Sequence, residues 1–128
     1  MKPARLIPFV ALLALLSGCY YDKYDVLYPQ ASVCDTSGVS YAGTIVPIVN
    51  QNCLSCHGAD FYQSSGGGYN LQGYANFKNM ASMGNNMLLL NCINQVNGYD
   101  PMPNNGTKLP PCDILQIQAW INDGMPNN

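Results

Sequence analysis

The stretch Asn52-Cys53-Leu54-Ser55-Cys56-His57-Gly58 decides how this 128-residue chain is read. Two cysteines stand with two residues between them, and a histidine follows the second directly. On a helical turn, two thiols at this spacing can reach the two vinyl groups along one edge of a haem. The adjoining imidazole then faces the iron. C-x-x-C-H is the attachment pattern of haem c. Three other chemistries use similar spacings. A structural zinc site takes four ligands, and His57 is the only histidine, so Cys34, Cys92 or Cys112 would have to supply the fourth. A thioredoxin-like redox pair belongs to a strand–helix context in an α/β fold, which the flanking sequence does not offer. A plain disulfide is the third. The compartment favours haem, because haem c is attached outside the bacterial cytoplasm.

Export is read from the first nineteen residues. Met1 to Arg5 carries two positive charges, and Leu6 to Leu16 is apolar. Eleven residues are too few to cross a hydrocarbon core of about 30 Å as a helix. They fit the charged and apolar regions of a secretory signal. Leu16-Ser17-Gly18-Cys19 looks like the lipobox of bacterial lipoproteins. That resemblance implies cleavage before Cys19 and lipid attachment to Cys19; the alternative is an ordinary signal with an incidental cysteine. The expected organisation is a signal peptide over 1–18, a lipid-anchored tether over 19–38 and a folded domain over 39–128. The protein is then held on a bacterial membrane, on the periplasmic side or at the cell surface. Tyr20 rather than Asp after the lipidated cysteine leans towards the outer membrane.

After cleavage, 110 residues remain, enough for one domain with a modest core. Three lysines (23, 78 and 108) against seven aspartates give this part a formal charge of −4. No basic patch exists, which argues against nucleic acid as a partner.

Val39 to Ala42 reads as a short extended piece, and Thr44 as the cap of the helix that follows. Pro47 falls in its first turn, where a missing N–H is tolerated. Ile45, Ile48 and Val49 share one face, and this helix runs into Cys53. Gly58 to Gly73 reads as a flexible loop around Ser64-Ser65-Gly66-Gly67-Gly68; no Gly-Lys-Ser/Thr follows to make it a phosphate loop. Helices are expected over Tyr74–Met83 and Asn86–Gln95, with turns at Asn97-Gly98 and Asn104-Asn105-Gly106. The last helix is the plainest. Pro110 and Pro111 suit its start, and Asp113 complements its dipole. Ile114, Ile117, Trp120 and Ile121 recur at 3–4 spacing, and Gly124 and Pro126 stop it. The fold class is all-α, three to five helices with long loops around one covalent haem.

A single histidine rules out two histidine ligands from one chain. The strong axial donor that remains is a methionine thioether, which raises the potential. Met80, Met83 and Met87 lie in helical stretches and suit core filling. Met102 stands between Pro101 and Pro103, whose restricted backbones would hold it with little entropy loss. Candidate residues lining the cofactor are Ile48, Leu71, Tyr74, Phe77, Tyr99 and Leu109, each also explicable as ordinary core. Cys34, Cys92 and Cys112 can make one internal disulfide in an oxidising compartment. Either Cys34–Cys112 or Cys92–Cys112 is possible, and the sequence leans to the first.

A helix entering C-x-x-C-H, a methionine in a proline-containing loop and a final amphipathic helix with Trp120 resemble class I mono-haem cytochrome c domains. Tyr99-Asp100-Pro101-Met102-Pro103, Lys108-Leu109, Cys112-Asp113-Ile114 and Trp120-Ile121-Asn122-Asp123-Gly124 are similar to small cytochrome-like domains of bacterial lipoproteins. The resemblance covers about residues 40–128. It implies that the first and last helices pack together, that Cys53 and Cys56 hold the haem, and that His57 and Met102 are the proximal and distal iron ligands. Met125-Pro126 is a second methionine–proline pair, but it follows the last helix and so ranks behind Met102.

The expected function is one-electron transfer at a membrane surface, to and from redox proteins of a respiratory chain. Two alternatives remain. One is a haem enzyme or gas sensor with an open distal position; the chain has no Glu and its mature part no Arg, so a distal acid–base pair is lacking. The other is a structural lipoprotein without haem.

Overall fold

A computed structural model describes residues 34–128; the signal peptide, Cys19 and most of the tether lie outside the described residues. All regular structure among the described residues is helical. A π-helical turn, Tyr41–Ile45, leads into α1 (Val46–Asn52) and α2 (Leu54–His57). After a long loop come α3 (Tyr74–Asn86), α4 (Leu88–Ile93) and, past a second loop, α5 (Pro111–Asn122). No described helix is long and apolar enough to cross a membrane.

The first helical segment begins earlier than its sequence suggests. Tyr41 and Ala42 are helical rather than extended, and the cap is Ser40, not Thr44: Ser40 Oγ accepts from Gly43 N at 3.0 Å. The remaining free N–H groups of this first turn find partners in the chain's far end. Tyr41 N donates to Asn128 Oδ1 and Ala42 N to Asn128 O, both at 2.8 Å. A helix start needs such acceptors, and a distant segment supplies them here. Pro47 sits in the first turn of α1, as expected.

α3 runs regularly through Ser82, then breaks. Met83 has extended backbone and Gly84 and Asn85 are left-handed, with φ of 58° and 56°. Glycine and asparagine are the residues that enter this region most readily, so Gly84-Asn85 breaks α3 close to its end, shortly before α4 begins. In α5 the expected face is buried: Ile114, Ile117, Trp120 and Ile121. They join Ile45, Ile48, Val49, Leu71, Phe77, Ala81, Leu89, Leu90, Ile93 and Leu109 in one core. Trp120 is fully buried, its ring centroid 5.8 Å from Tyr41 and 5.6 Å from Phe77. Its Nε1–H donates to Pro126 O at 2.9 Å, which satisfies its polar end. The π-turn and α5 are thus in contact, and α4 packs on α3 and α5.

Cys34 and Cys112 form a disulfide with a Cα–Cα distance of 5.3 Å. It fixes the segment entering the domain to the first turn of α5. Gln116 Nε2 adds a bond to Asp35 O at 3.2 Å. Cys92 is free and buried on α4, while Cys53 and Cys56 are also free thiols.

Candidate haem-attachment site

The site is built on the junction of α1 and α2. Cys53 ends α1, its N–H donating to Val49 O at 2.9 Å, and the chain continues almost without a break into α2. His57 N donates to Cys53 O at 2.9 Å. Cys53, Cys56 and His57 therefore occupy one helical turn. Cys53 is half-buried against the core, next to the Ile48–Val49 face, and Cys56 is exposed. Burial pushes the Cys53 thiol up to about 11, so near neutral pH it is an uncharged S–H.

His57 is held by the loop that follows. Its Nδ1 lies 2.9 Å from Tyr69 O. A carbonyl only accepts, so Nδ1 carries a proton, and Nε2 is the ring nitrogen this contact leaves unengaged. Leu71 N also donates to His57 O at 2.9 Å. Hydrogen bonding of one ring nitrogen to a backbone carbonyl is the usual way a ligating histidine is oriented and made more basic.

The 58–73 loop, expected to be flexible, is a nest of hydrogen-bonded turns. Gly66 N and Gly68 N both donate to Tyr62 O, Ser65 N donates to Phe61 O, and Tyr62 N to Gly58 O. Gln72 Oε1 accepts from Ala59 N at 2.9 Å and ties the loop's two ends. The glycines have distinct reasons. Gly67 and Gly68 take φ of 59° and 85°. Gly66 is buried, and a Cβ there would lie 2.7 Å from Cys56 O, 2.9 Å from His57 Nδ1 and 2.9 Å from Tyr62 Cα. Gly66 and the Tyr69 carbonyl thus fix the surroundings of the His57 ring, and neither is evident from residue type. A backbone acceptor leaves no mark in sequence, although a Gly-Gly-Gly run close after a candidate ligand hints at a tight backbone approach.

A Gly66→Ala substitution is expected to destabilise the protein by about 1–3 kcal/mol, the range for overpacking, because two of the three atoms it meets are backbone. Gly68→Ala meets nothing within 4 Å and should cost only the left-handed penalty, about 1–2 kcal/mol. Urea unfolding of the exported protein compares the two. Only Gly66→Ala should also disturb the His57 imidazole signals in NMR.

The other candidate residues divide. Ile48, Leu71, Phe77 and Leu109 are buried in the core. Tyr74 is half-buried, edge-on to Tyr41, and its hydroxyl donates to Met125 O at 2.9 Å. Tyr99 stands on the surface, 43% exposed. Met102 lies in the loop between α4 and α5, packed half-buried against the core, with its N–H donating to Cys92 O at 3.0 Å. Met125 is committed elsewhere: its N–H donates to Trp120 O, and its sulfur accepts from Ser82 Oγ at 3.8 Å. Met80 and Met83 line an open cavity of about 330 Å³ with Tyr69 and three asparagines, 70, 76 and 79. Cys92 is raised by burial and by the nearby Asp100 carboxylate.

Among the described residues, no three His, Cys, Asp or Glu side chains gather around a common point. Cys34 and Cys112 are consumed by their disulfide, which removes two of the three thiols that a zinc set would have drawn on for its fourth ligand. Comparison with protein families, curated proteins and solved structures gives no match.

Proposed function

We propose that this protein is a mono-haem c-type cytochrome and carries single electrons. Cys53 and Cys56 would hold the haem by thioether bonds, and His57 Nε2 and Met102 Sδ would bind its iron. The supporting observation is the state of the Cys53–His57 turn. Two free thiols stand beside an imidazole whose Nδ1–H is bonded to Tyr69 O, so Nε2 is the nitrogen left for a metal. The donor set suits the group. Addition of each thiol S–H across a vinyl double bond forms a thioether with no atom lost and no oxidant consumed, and both thiols are free.

When bound, the haem supplies a reversible ferric/ferrous couple. The chain's own contribution is orientation and dryness. The Tyr69 carbonyl fixes the ring of His57 and increases its electron donation. Ile48, Leu71, Phe77 and Leu109 are core residues that would supply the haem's apolar surroundings, and a low-polarity surround with a thioether ligand raises the potential. The Cys34–Cys112 bond ties the start of the described domain to α5, and lipid attachment at Cys19 would confine the carrier to a membrane surface near respiratory redox partners.

Optical spectra of the exported protein, oxidised and reduced, test this together with Met102→Ala. Wild-type protein should be low-spin with a sulfur-to-iron band at the red end of the oxidised spectrum, and Met102→Ala should lose that band completely. A high-spin wild-type spectrum that the substitution leaves unchanged would remove Met102 from the iron and put the open-site enzyme or sensor in its place.

A further inference from the structure

Two Asn-Gly pairs stand between α4 and α5, Asn97-Gly98 and Asn105-Gly106. Such a pair holds a latent reaction. The glycine nitrogen can close a five-membered ring on the asparagine Cγ, and glycine has no Cβ to obstruct the approach. All four residues are exposed, so water and base reach both pairs. Their hydrogen bonds differ. Gly106 N donates to Pro103 O at 3.2 Å, and Asn105 Oδ1 accepts from Thr107 N at 3.0 Å. The nucleophile and the carboxamide of this pair are both engaged. Asn97 and Gly98 form the corners of a turn that Tyr99 N closes by donating to Val96 O at 3.1 Å, with Gly98 at φ 93°. Among the described residues, neither Gly98 N nor the Asn97 side chain has a hydrogen-bond partner.

We infer that Asn97 is a site of spontaneous deamidation in the folded protein, and that Asn105 is held back by its turn. Gly98 N gives up its proton and attacks Asn97 Cγ. The Cγ–Nδ2 bond breaks, ammonia leaves, and a succinimide remains. Water then opens the ring. Attack at Cγ gives aspartate, and attack at the main-chain carbonyl gives isoaspartate, whose backbone runs through Cγ. One water is consumed and one ammonia released, with no change of oxidation state. Either product places a carboxylate three residues before Asp100. Isoaspartate also lengthens the main chain by one carbon inside the turn between Val96 and Tyr99. That turn leads into the segment whose Met102 N is bonded to Cys92 O, so the modification brings charge and slack into the loop joining α4 to Met102. The reaction needs neither haem nor a partner protein.

The exported full-length protein is incubated in mildly alkaline buffer, folded or in urea, then digested in mild acid, where ring closure stops. Mass spectrometry of the peptides follows the replacement of NH2 by OH at each asparagine, and enzymatic methylation of isoaspartate identifies the product. In the folded protein Asn97 should convert about tenfold or more faster than Asn105, the size of the hydrogen bonds that Asn105-Gly106 must first break. In urea that gap should close, because both pairs then lack structure. The product at Asn97 should be a mixture of isoaspartate and aspartate, the mark of a succinimide. An Asn105 rate equal to or above that of Asn97 in the folded protein, or no conversion of Asn97 there, would overturn the assignment. A gap that persists in urea would overturn the part given to the fold, and aspartate alone as product would overturn attack by Gly98 N.

Discussion

Removing the Cys34–Cys112 disulfide, by replacing both residues with serine, is expected to cost about 4 kcal/mol. The bond joins residues 78 apart. In the chain-entropy description, a cross-link closing a loop of that size destabilises the unfolded state by roughly 4–5 kcal/mol. The native side adds a loss of its own. Without the bond, Gln116 Nε2 to Asp35 O is the remaining side-chain tie between the entering segment and α5, and it is exposed. For a domain of about this size, each kcal/mol moves the melting temperature by roughly 4–8 °C, so the double variant should melt roughly 15–30 °C lower. Calorimetry of the exported protein checks this. A loss of only a few degrees would mean that the two sulfurs are not joined in solution.

Replacing Cys53 and Cys56 by alanine is expected to abolish covalent haem altogether, the largest functional effect the account predicts. The two thiols have unequal surroundings. Cys53 is packed against the core next to the Ile48–Val49 face, while Cys56 is exposed. Cys53→Ala alone should therefore cost both a thioether and some packing, and Cys56→Ala mainly a thioether. Each single variant should retain haem by one link in reduced yield, and Cys53→Ala should be the less stable of the two on urea unfolding.

How much could be read in advance follows from what kind of contact each feature uses. Periodic apolar side chains announce themselves, so the buried faces Ile45–Ile48–Val49 and Ile114–Ile117–Trp120–Ile121 matched their spacing. The end of α3 at Met83 and the stop at Gly124 were legible because glycine and asparagine mark backbone that other residues avoid. The pairing of Cys34 with Cys112 was one of two open choices, and the fold brings those two together while burying Cys92 on α4. Contacts made by distant backbone were invisible. Ser40 displaced Thr44 as cap because Asn128 meets the N–H groups of Tyr41 and Ala42 and lets the helix start sooner. The order of the 58–73 loop rests on carbonyls at Tyr62, Phe61 and Tyr69, none of which has a side-chain signature. Gln95, the end of an expected helix, has left-handed backbone at φ 57° and a buried amide nitrogen without a partner, and neither leaves a mark in the sequence.

The central claim is that Cys53 and Cys56 hold a haem by covalent bonds, and intact mass measured on protein exported with haem maturation tests it most directly. The account predicts a red protein whose polypeptide mass is raised by one haem, with the pigment resisting acidic organic extraction, and with both properties lost in the Cys53→Ala, Cys56→Ala variant. A colourless protein at the bare polypeptide mass, with both thiols free to react with an alkylating agent, would contradict it.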